Sequence, residues 1–245
     1  MLAMTPPEAG PRYAIYYVPE RTSALYRFGT AVLGYDCYSG NELPNCCSLP
    51  AWNEAVREPR RYGFHATLKA PFHLATSARE VDLFRDFTSF AREQAVFTLT
   101  SISVRELDGF IAVVPDEPAP VLNHLAQNCV RYFDRFRAPL TEQDRRRRLK
   151  SPLTERQIQN LDRWGYPYVF DDFRFHMTLT GRLETGERED ALSRLCHEFQ
   201  QASPVKHLTI GKIVIARQHD GASPFKVVRA APLGVSMYRP FAELF

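Results

Sequence analysis

The 245-residue chain lacks most of the signatures that would announce a cofactor or a cargo. Its five cysteines (Cys37, Cys46, Cys47, Cys129, Cys196) are odd in number and include no C-x-x-C pair, which argues against a disulfide framework and a zinc ribbon. They read as buried or incidental thiols of a reducing compartment. No G-x-x-x-x-G-K-[ST] loop and no G-x-G-x-x-G fingerprint occurs, so P-loop phosphate chemistry and dinucleotide redox chemistry have no support. His73, His124, His197, His207 and His219 stand alone without H-E-x-x-H or other ligand spacing, and neither a metal nor a cofactor is expected. The net charge of +3 is too small to imply a nucleic-acid partner by itself. No apolar run approaches the roughly 20 residues a membrane span needs. The segment from Met1 to Pro11 has neither a basic start nor an apolar stretch, so a cytoplasmic location without membrane attachment is the expectation.

What is present is a globular composition, 44% apolar and 24% charged, long enough to bury a sizeable core. Arg12 to Val18 reads as a strand ending at Pro19, and residues 21–34 as a helix stopped near Gly34. Tyr35 to Arg61 is rich in Pro, Asn and Ser and reads as a long loop with at most a short helix near Trp52. Phe64 to Lys69 is a strand closed by Pro71. Residues 78–94 and 118–136 carry apolar residues at helical spacing. Between them lie two β-rich stretches, Phe97 to Arg105 and Phe110 to Val114, joined by the tight-turn pair Asp108-Gly109. Arg137 to Trp164 is charged and helical in pattern. Arg174 to Leu183 (strand), 187–201 (helix), Thr209 to Arg217 (strand) and Phe225 to Ala231 (strand) complete the chain. The order strand, helix, strand pair thus occurs twice, and internal duplication follows as a hypothesis.

One stretch tests it. Phe64-His65-Ala66-Thr67-Leu68 aligns without a gap to Phe175-His176-Met177-Thr178-Leu179, with four identities in five. Side chains alternate across a strand, so His65 and Thr67 share one face while Phe64, Ala66 and Leu68 share the other. The same split groups His176 with Thr178. Extending the alternation adds Lys69 to the first face and Arg174, Thr180 and Arg182 to the second. A groove lined by both faces would hold two imidazoles, several hydroxyls and up to three cations, a set suited to an anion whose charge grows in a transition state. A neutral imidazole can take a proton from an attacking oxygen while a protonated one gives a proton to the leaving oxygen, each role being worth about 10²–10⁴-fold in rate. The sequence leaves open which histidine takes which role.

FHATL and FHMTL resemble the paired H-x-[ST] signature of the 2H phosphoesterase superfamily. That resemblance implies an α+β fold of two pseudo-symmetric lobes, with antiparallel-rich sheets facing a central groove and helices on the outer faces. It also implies metal-independent cleavage of a cyclic or 2′-5′ phosphodiester. Longer stretches, RYAIYYVP at 12–19, RYGFHATLKAPF at 61–72 and WGYPYVFDDFRFHMTLTGRL at 164–183, are similar to a bacterial branch described as phosphonate metabolism proteins. The branch implies the fold and the catalytic strands, and by context a ribose cyclic phosphate as substrate.

The expectation is therefore a first lobe over residues 1–136, a charged helical connector over 137–171 and a second lobe over 172–245, forming one compact unit in which strands can be exchanged. His65, Thr67, His176 and Thr178 are the candidate catalytic residues. Lys69, Arg174, Arg182, Tyr62 and Tyr16 are candidates for substrate binding, with Tyr13 a further aromatic able to stack on a sugar or base. The partner is a small phosphorylated substrate, a nucleotide or sugar cyclic phosphate. Two other readings compete: an RNA-end-processing enzyme that uses the basic run Arg145–Lys150 to guide a polyanion, and a non-catalytic sensor of a phosphate ligand. The run reads more simply as a solvated helix face pairing with nearby acids. The sequence does not give the oligomeric state.

Overall fold

A computed structural model describes residues 10–45, 52–202 and 207–236. Cys46 and Cys47 lie outside the described residues. The chain is mixed α+β, built on an antiparallel sheet of seven strands with helices packed on one of its faces.

The elements in chain order are β1 (Arg12–Tyr17), α1 (Ala24–Leu33), β2 (Tyr35–Asp36), β3 (Asn41–Glu42), α2 (Trp52–Arg60), β4 (Ala66–His73) and α3 (Glu80–Arg92). Next come β5 (Ala95–Leu99), β6 (Ile102–Leu107), β7 (Phe110–Pro115), α4 (Pro120–Phe133), α5 (Glu142–Arg148) and α6 (Glu155–Trp164). The last are β8 (Met177–Thr178), α7 (Thr185–Ala202), β9 (Leu208–Ile210), β10 (Lys212–Gln218), β11 (Lys226–Pro232) and β12 (Val235–Ser236). Local chemistry explains their limits. Ser23 caps α1 by accepting from the Tyr26 amide, and Gly34 ends it at φ +69, a backbone conformation that costs glycine little. Thr154 and Gln157 form a reciprocal capping box on α6. Asp108 and Gly109, at φ 49 and 92, make the tight turn expected between β6 and β7.

The large sheet runs β11-β10-β1-β4-β8-β7-β6. Strands from both ends of the chain build each half: the late β10 and β11 flank β1 and β4, whereas the early β6 and β7 flank β8. Two stretches that read as single strands are in fact two each. The chain leaves a small sheet of order β12-β5-β9 between Leu99 and Ile102, and again at Gly211, to enter the large one. These parallel departures make the duplication visible, since β4-α3-β5-β6-β7 and β8-α7-β9-β10-β11 follow the same itinerary. The expected loop over 35–61 contains β2, β3 and α2.

Alternation assigns Tyr13, Ile15 and Tyr17 to one face of β1. Helices cover this face: Tyr13 donates to Glu80 of α3, the Arg229 guanidinium lies over Phe84 of α3, and Phe87 and Phe90 of α3 pack on Phe133 of α4. Phe28 of α1 meets Phe199 of α7 edge to face at 5.4 Å. No helix among the described residues is long and apolar enough to cross a membrane.

Candidate active site

The opposite face of the sheet holds the two motifs. β4 and β8 pair antiparallel through Ala66 and Met177, both buried toward the helices. One step either side of that pair sets His65 across from Thr178 and Thr67 across from His176. Neighbouring strands lie about 4.8 Å apart. Two imidazoles and two hydroxyls from opposite halves of the chain therefore form a compact quartet on one surface. All four side chains are partly exposed between neighbours that are fully buried.

Each histidine is held in the same way. His65 Nδ1 is 2.8 Å from the Gly63 carbonyl, and His176 Nδ1 is 2.8 Å from the Arg174 carbonyl. A carbonyl only accepts, so each Nδ1 carries the proton and each Nε2 keeps its lone pair. Thr67 Oγ1 lies 3.2 Å from His65 Nε2 and can donate to it. Each ring also rests on an aromatic from the next strand outward: His65 on Tyr16 of β1 at 3.8 Å between centroids, and His176 on Phe110 of β7 at 5.5 Å. Gly63, at φ +74, makes the turn that brings its carbonyl beneath His65.

Burial lowers the pKa of both histidines below the ordinary value. For His65 it falls to about 4, through desolvation first and the nearness of His176 second, despite the opposing Gly63 bond. His176 is lowered by desolvation, partly opposed by its bond to Arg174. Like charges this close resist double protonation, so the pair favours at most one proton.

The other candidates are placed differently. Lys69 does not join His65 and Thr67. Between Tyr16 and Ile15 of β1 the pairing with β4 slips, Tyr16 meeting Thr67 and Ile15 meeting Lys69, so an additional residue on β4 breaks the alternation. Lys69 turns under α4, where it donates to the Val130 carbonyl and to Asp134 Oδ1. Thr180 is buried and its hydroxyl accepts from the Ile111 amide instead of facing the groove. The cause is a local irregularity: the amides of Leu179 and Thr180 both donate to Ile111 O, and the Gly181 amide turns to Ala55 O of α2. The expected strand from 174 to 183 is reduced to β8, and Arg182 lies exposed beside Gly109 in the β6–β7 turn. Arg174 is exposed and pairs with Asp108 at 3.4 Å. Tyr62 flanks the His65 ring at 6.1 Å and stacks on Phe225 at 5.2 Å. Tyr13 faces the helices.

Three of the arginines in the basic run are neutralised by acids: Arg145 by Asp162, Arg146 by Glu142 and Arg147 by Asp144. A separate cavity is lined by two ion pairs, Arg145 with Asp162 and Arg137 with Asp134, together with Arg163, and touches none of the four motif residues. Among the described residues no three His, Cys, Asp or Glu side chains converge in a way that could hold a metal ion. Sequence reasoning passed over Arg12. It shares the groove face with Tyr16 by strict alternation along β1, and its guanidinium lies over Phe225 at 5.5 Å. Its position four residues before Tyr16 was the available signal.

Comparison with known proteins adds relatives. A ribose 1,5-bisphosphate phosphokinase PhnN of Janthinobacterium sp. (strain Marseille) is 36% identical over 225 residues, covering 89% of this chain and 50% of that protein. A protein of the same name from Laribacter hongkongensis (strain HLHK9) is 34% identical over 206 residues, covering 81% of this chain and 47% of its own length. The chain spans about half the length of these relatives. Among solved structures, E. coli LigT complexed with NADP+ aligns at TM-score 0.44 and 11% identity, covering 92% of this chain and 99% of that one. Kluyveromyces marxianus Usb1 aligns at TM-score 0.34 and 10% identity, covering 93% and 99%. The model of one family, described as protein of unknown function (DUF1045), matches residues 67–226, well over half of the sequence and all but His65 of the motif quartet, and the chain belongs to that family.

Proposed function

We propose that this protein is a phosphoesterase that opens a cyclic phosphodiester by two-histidine acid–base catalysis without a metal. The observation that carries the reading is the crossed quartet, His65 opposite Thr178 and Thr67 opposite His176, with both Nδ1–H groups tied to backbone carbonyls and both Nε2 atoms left for proton transfer. Water attacks phosphorus and loses a proton to one neutral Nε2. The P–O bond to the leaving sugar oxygen breaks, and the other imidazole, protonated, supplies that oxygen with its proton. Thr67 and Thr178 hold the non-bridging oxygens through the charged transition state. The product is a phosphomonoester, and the proton returns through solvent.

The finer reading concerns the sugar. The relatives are named for a kinase of ribose 1,5-bisphosphate, whereas this chain carries no P-loop and matches about half of their length. We assign the kinase chemistry to the other half of those proteins. Hydrolysis of a phosphate bridging O1 and O2 of a phosphorylated ribose, with cleavage at O2, yields a ribose 1-phosphate ester. With a further phosphate on O5 the product is the kinase's named substrate. The RNA-end reading loses support because Arg145, Arg146 and Arg147 are each occupied by an acid.

The test is turnover of a set of cyclic phosphates and 2′-5′ dinucleotides in ¹⁸O-labelled water, with phosphorus NMR of the product. Cyclic-phosphate opening that places one ¹⁸O on the new monoester is the expected result. A protein that binds these compounds and turns over none is a sensor, and the proposal fails.

A further inference from the structure

Beside His65 the groove carries polar groups that the proton-transfer scheme does not use. Tyr16 is 1% exposed, and its hydroxyl is buried with no hydrogen-bond partner. A buried donor left unsatisfied costs about 1–3 kcal/mol, so a protein that keeps one calls for an explanation. The phenol belongs to a cluster: those of Tyr62 and Tyr166, and the Arg12 guanidinium, all lie close enough to bias its ionisation. Tyr166 comes from the turn after α6, and its own phenol feels both Tyr62 and Arg148.

Arg148 is the exception in the basic run. Its three neighbours are paired with acids, but Arg148 has no carboxylate partner among the described residues; it lies over the Tyr166 ring, its Cζ 5.0 Å from the ring centroid. Arg12 likewise has no carboxylate partner there, spending its Nε–H on Gln218 and leaving its terminal N–H groups unassigned. One guanidinium without a counter-charge, Arg12, thus lies near a buried, unpartnered hydroxyl next to a candidate catalytic ring, and a second, Arg148, is held one residue further out, over the ring of Tyr166, itself a neighbour of that hydroxyl. An arginine kept free of acids on an aromatic platform is suited to a phosphate monoester, whose oxygens match its forked donors.

We infer that Tyr16, Arg148 and Arg12 form a second anion subsite that takes a non-reacting phosphate of the substrate, so that the enzyme selects cyclic phosphodiesters carrying an additional phosphomonoester. The inference rests on the phosphoesterase reading. It makes the connector over α5 and α6 part of the recognition surface, with Arg148 delivered by the last turn of α5.

The experiment compares two probes, ribofuranose 1,2-cyclic phosphate and its 5-phosphate, with wild type, Arg148→Gln and Tyr16→Phe, following initial rates by phosphorus NMR. Wild type is expected to prefer the 5-phosphorylated probe, chiefly in KM, because the second phosphate binds alike in ground and transition states. Arg148→Gln is expected to reduce that preference by roughly 10- to 100-fold, the worth of a charged hydrogen bond. Tyr16→Phe is expected to reduce it by several-fold while the melting temperature holds or rises, since only an unpartnered hydroxyl is lost. Equal handling of the two probes by wild type, or a loss in Arg148→Gln of the same factor for both, overturns the subsite and leaves the phosphoesterase standing. No turnover of either probe by wild type removes the phosphoesterase reading and the subsite with it.

Discussion

Replacing His65 with Gln should make the fold less sensitive to acid. Folding holds the His65 pKa at about 4 against an ordinary value of 6.5, chiefly by desolvation. The unfolded chain therefore binds this proton first as pH falls, and stability is lost between pH 6.5 and 4, not gained. A difference of this size corresponds to about 3 kcal/mol over the whole window, at about 1.4 kcal/mol per pH unit. Down to pH 5 the share attributable to His65 is roughly 2 kcal/mol. His176, also depressed, adds to the loss in wild type. That loss comes from desolvation of His176 itself and so is shared by the variant, which is why the comparison is made as a difference. Urea unfolding at pH 7 and pH 5 measures this as a double difference between wild type and His65→Gln. Parallel losses of stability in the two proteins would refute the claim that the ring is held neutral by its surroundings. An oxyanion bound in the groove should oppose the effect, so inorganic phosphate should protect wild type more at pH 5 than at pH 7.

Lys69→Met should leave phosphodiester turnover nearly intact while lowering stability by about 2 kcal/mol in urea, because the ammonium serves Asp134 and the Val130 carbonyl beneath α4. A large rise in KM would instead put Lys69 back in the groove. Gly29→Ala should destabilise the fold by about 2–3 kcal/mol in thermal melts, because a Cβ there falls within the Phe64 ring, the residue before His65. Unchanged melting would show that Phe64 can yield.

The four motif side chains were legible because a strand's period of two is a local rule, and both copies obey it where it matters. Thr67 and Thr178 each sit one step beyond a directly paired residue. The same rule failed for Lys69 and Thr180, and both failures sit at irregularities of pairing, one with β1 and one with β7. Such slips are set by the partner strand, so a single strand's sequence does not carry them. Phe97 to Arg105 and Thr209 to Arg217 each look like one strand because both parts are β-rich. Only the tertiary fold shows the chain changing sheets near Thr100 and at Gly211. The helices expected over 78–94 and 118–136 from their apolar spacing occupy 80–92 and 120–133, and the one expected over 187–201 occupies 185–202. The basic run was readable as charge, but not the distinction within it, since the partners of Arg145, Arg146 and Arg147 and the solitary position of Arg148 depend on how α5 lies on its neighbours.

The central claim is that two imidazoles divide the proton transfers at one phosphorus atom. Steady-state turnover of a cyclic phosphate by wild type, His65→Ala and His176→Ala, each with and without chelator, tests it most directly. The account predicts that each substitution lowers kcat by about 10²–10⁴-fold and that chelator has no effect. Full activity in either variant, or wild-type activity abolished by chelator and restored by a divalent metal, would contradict it.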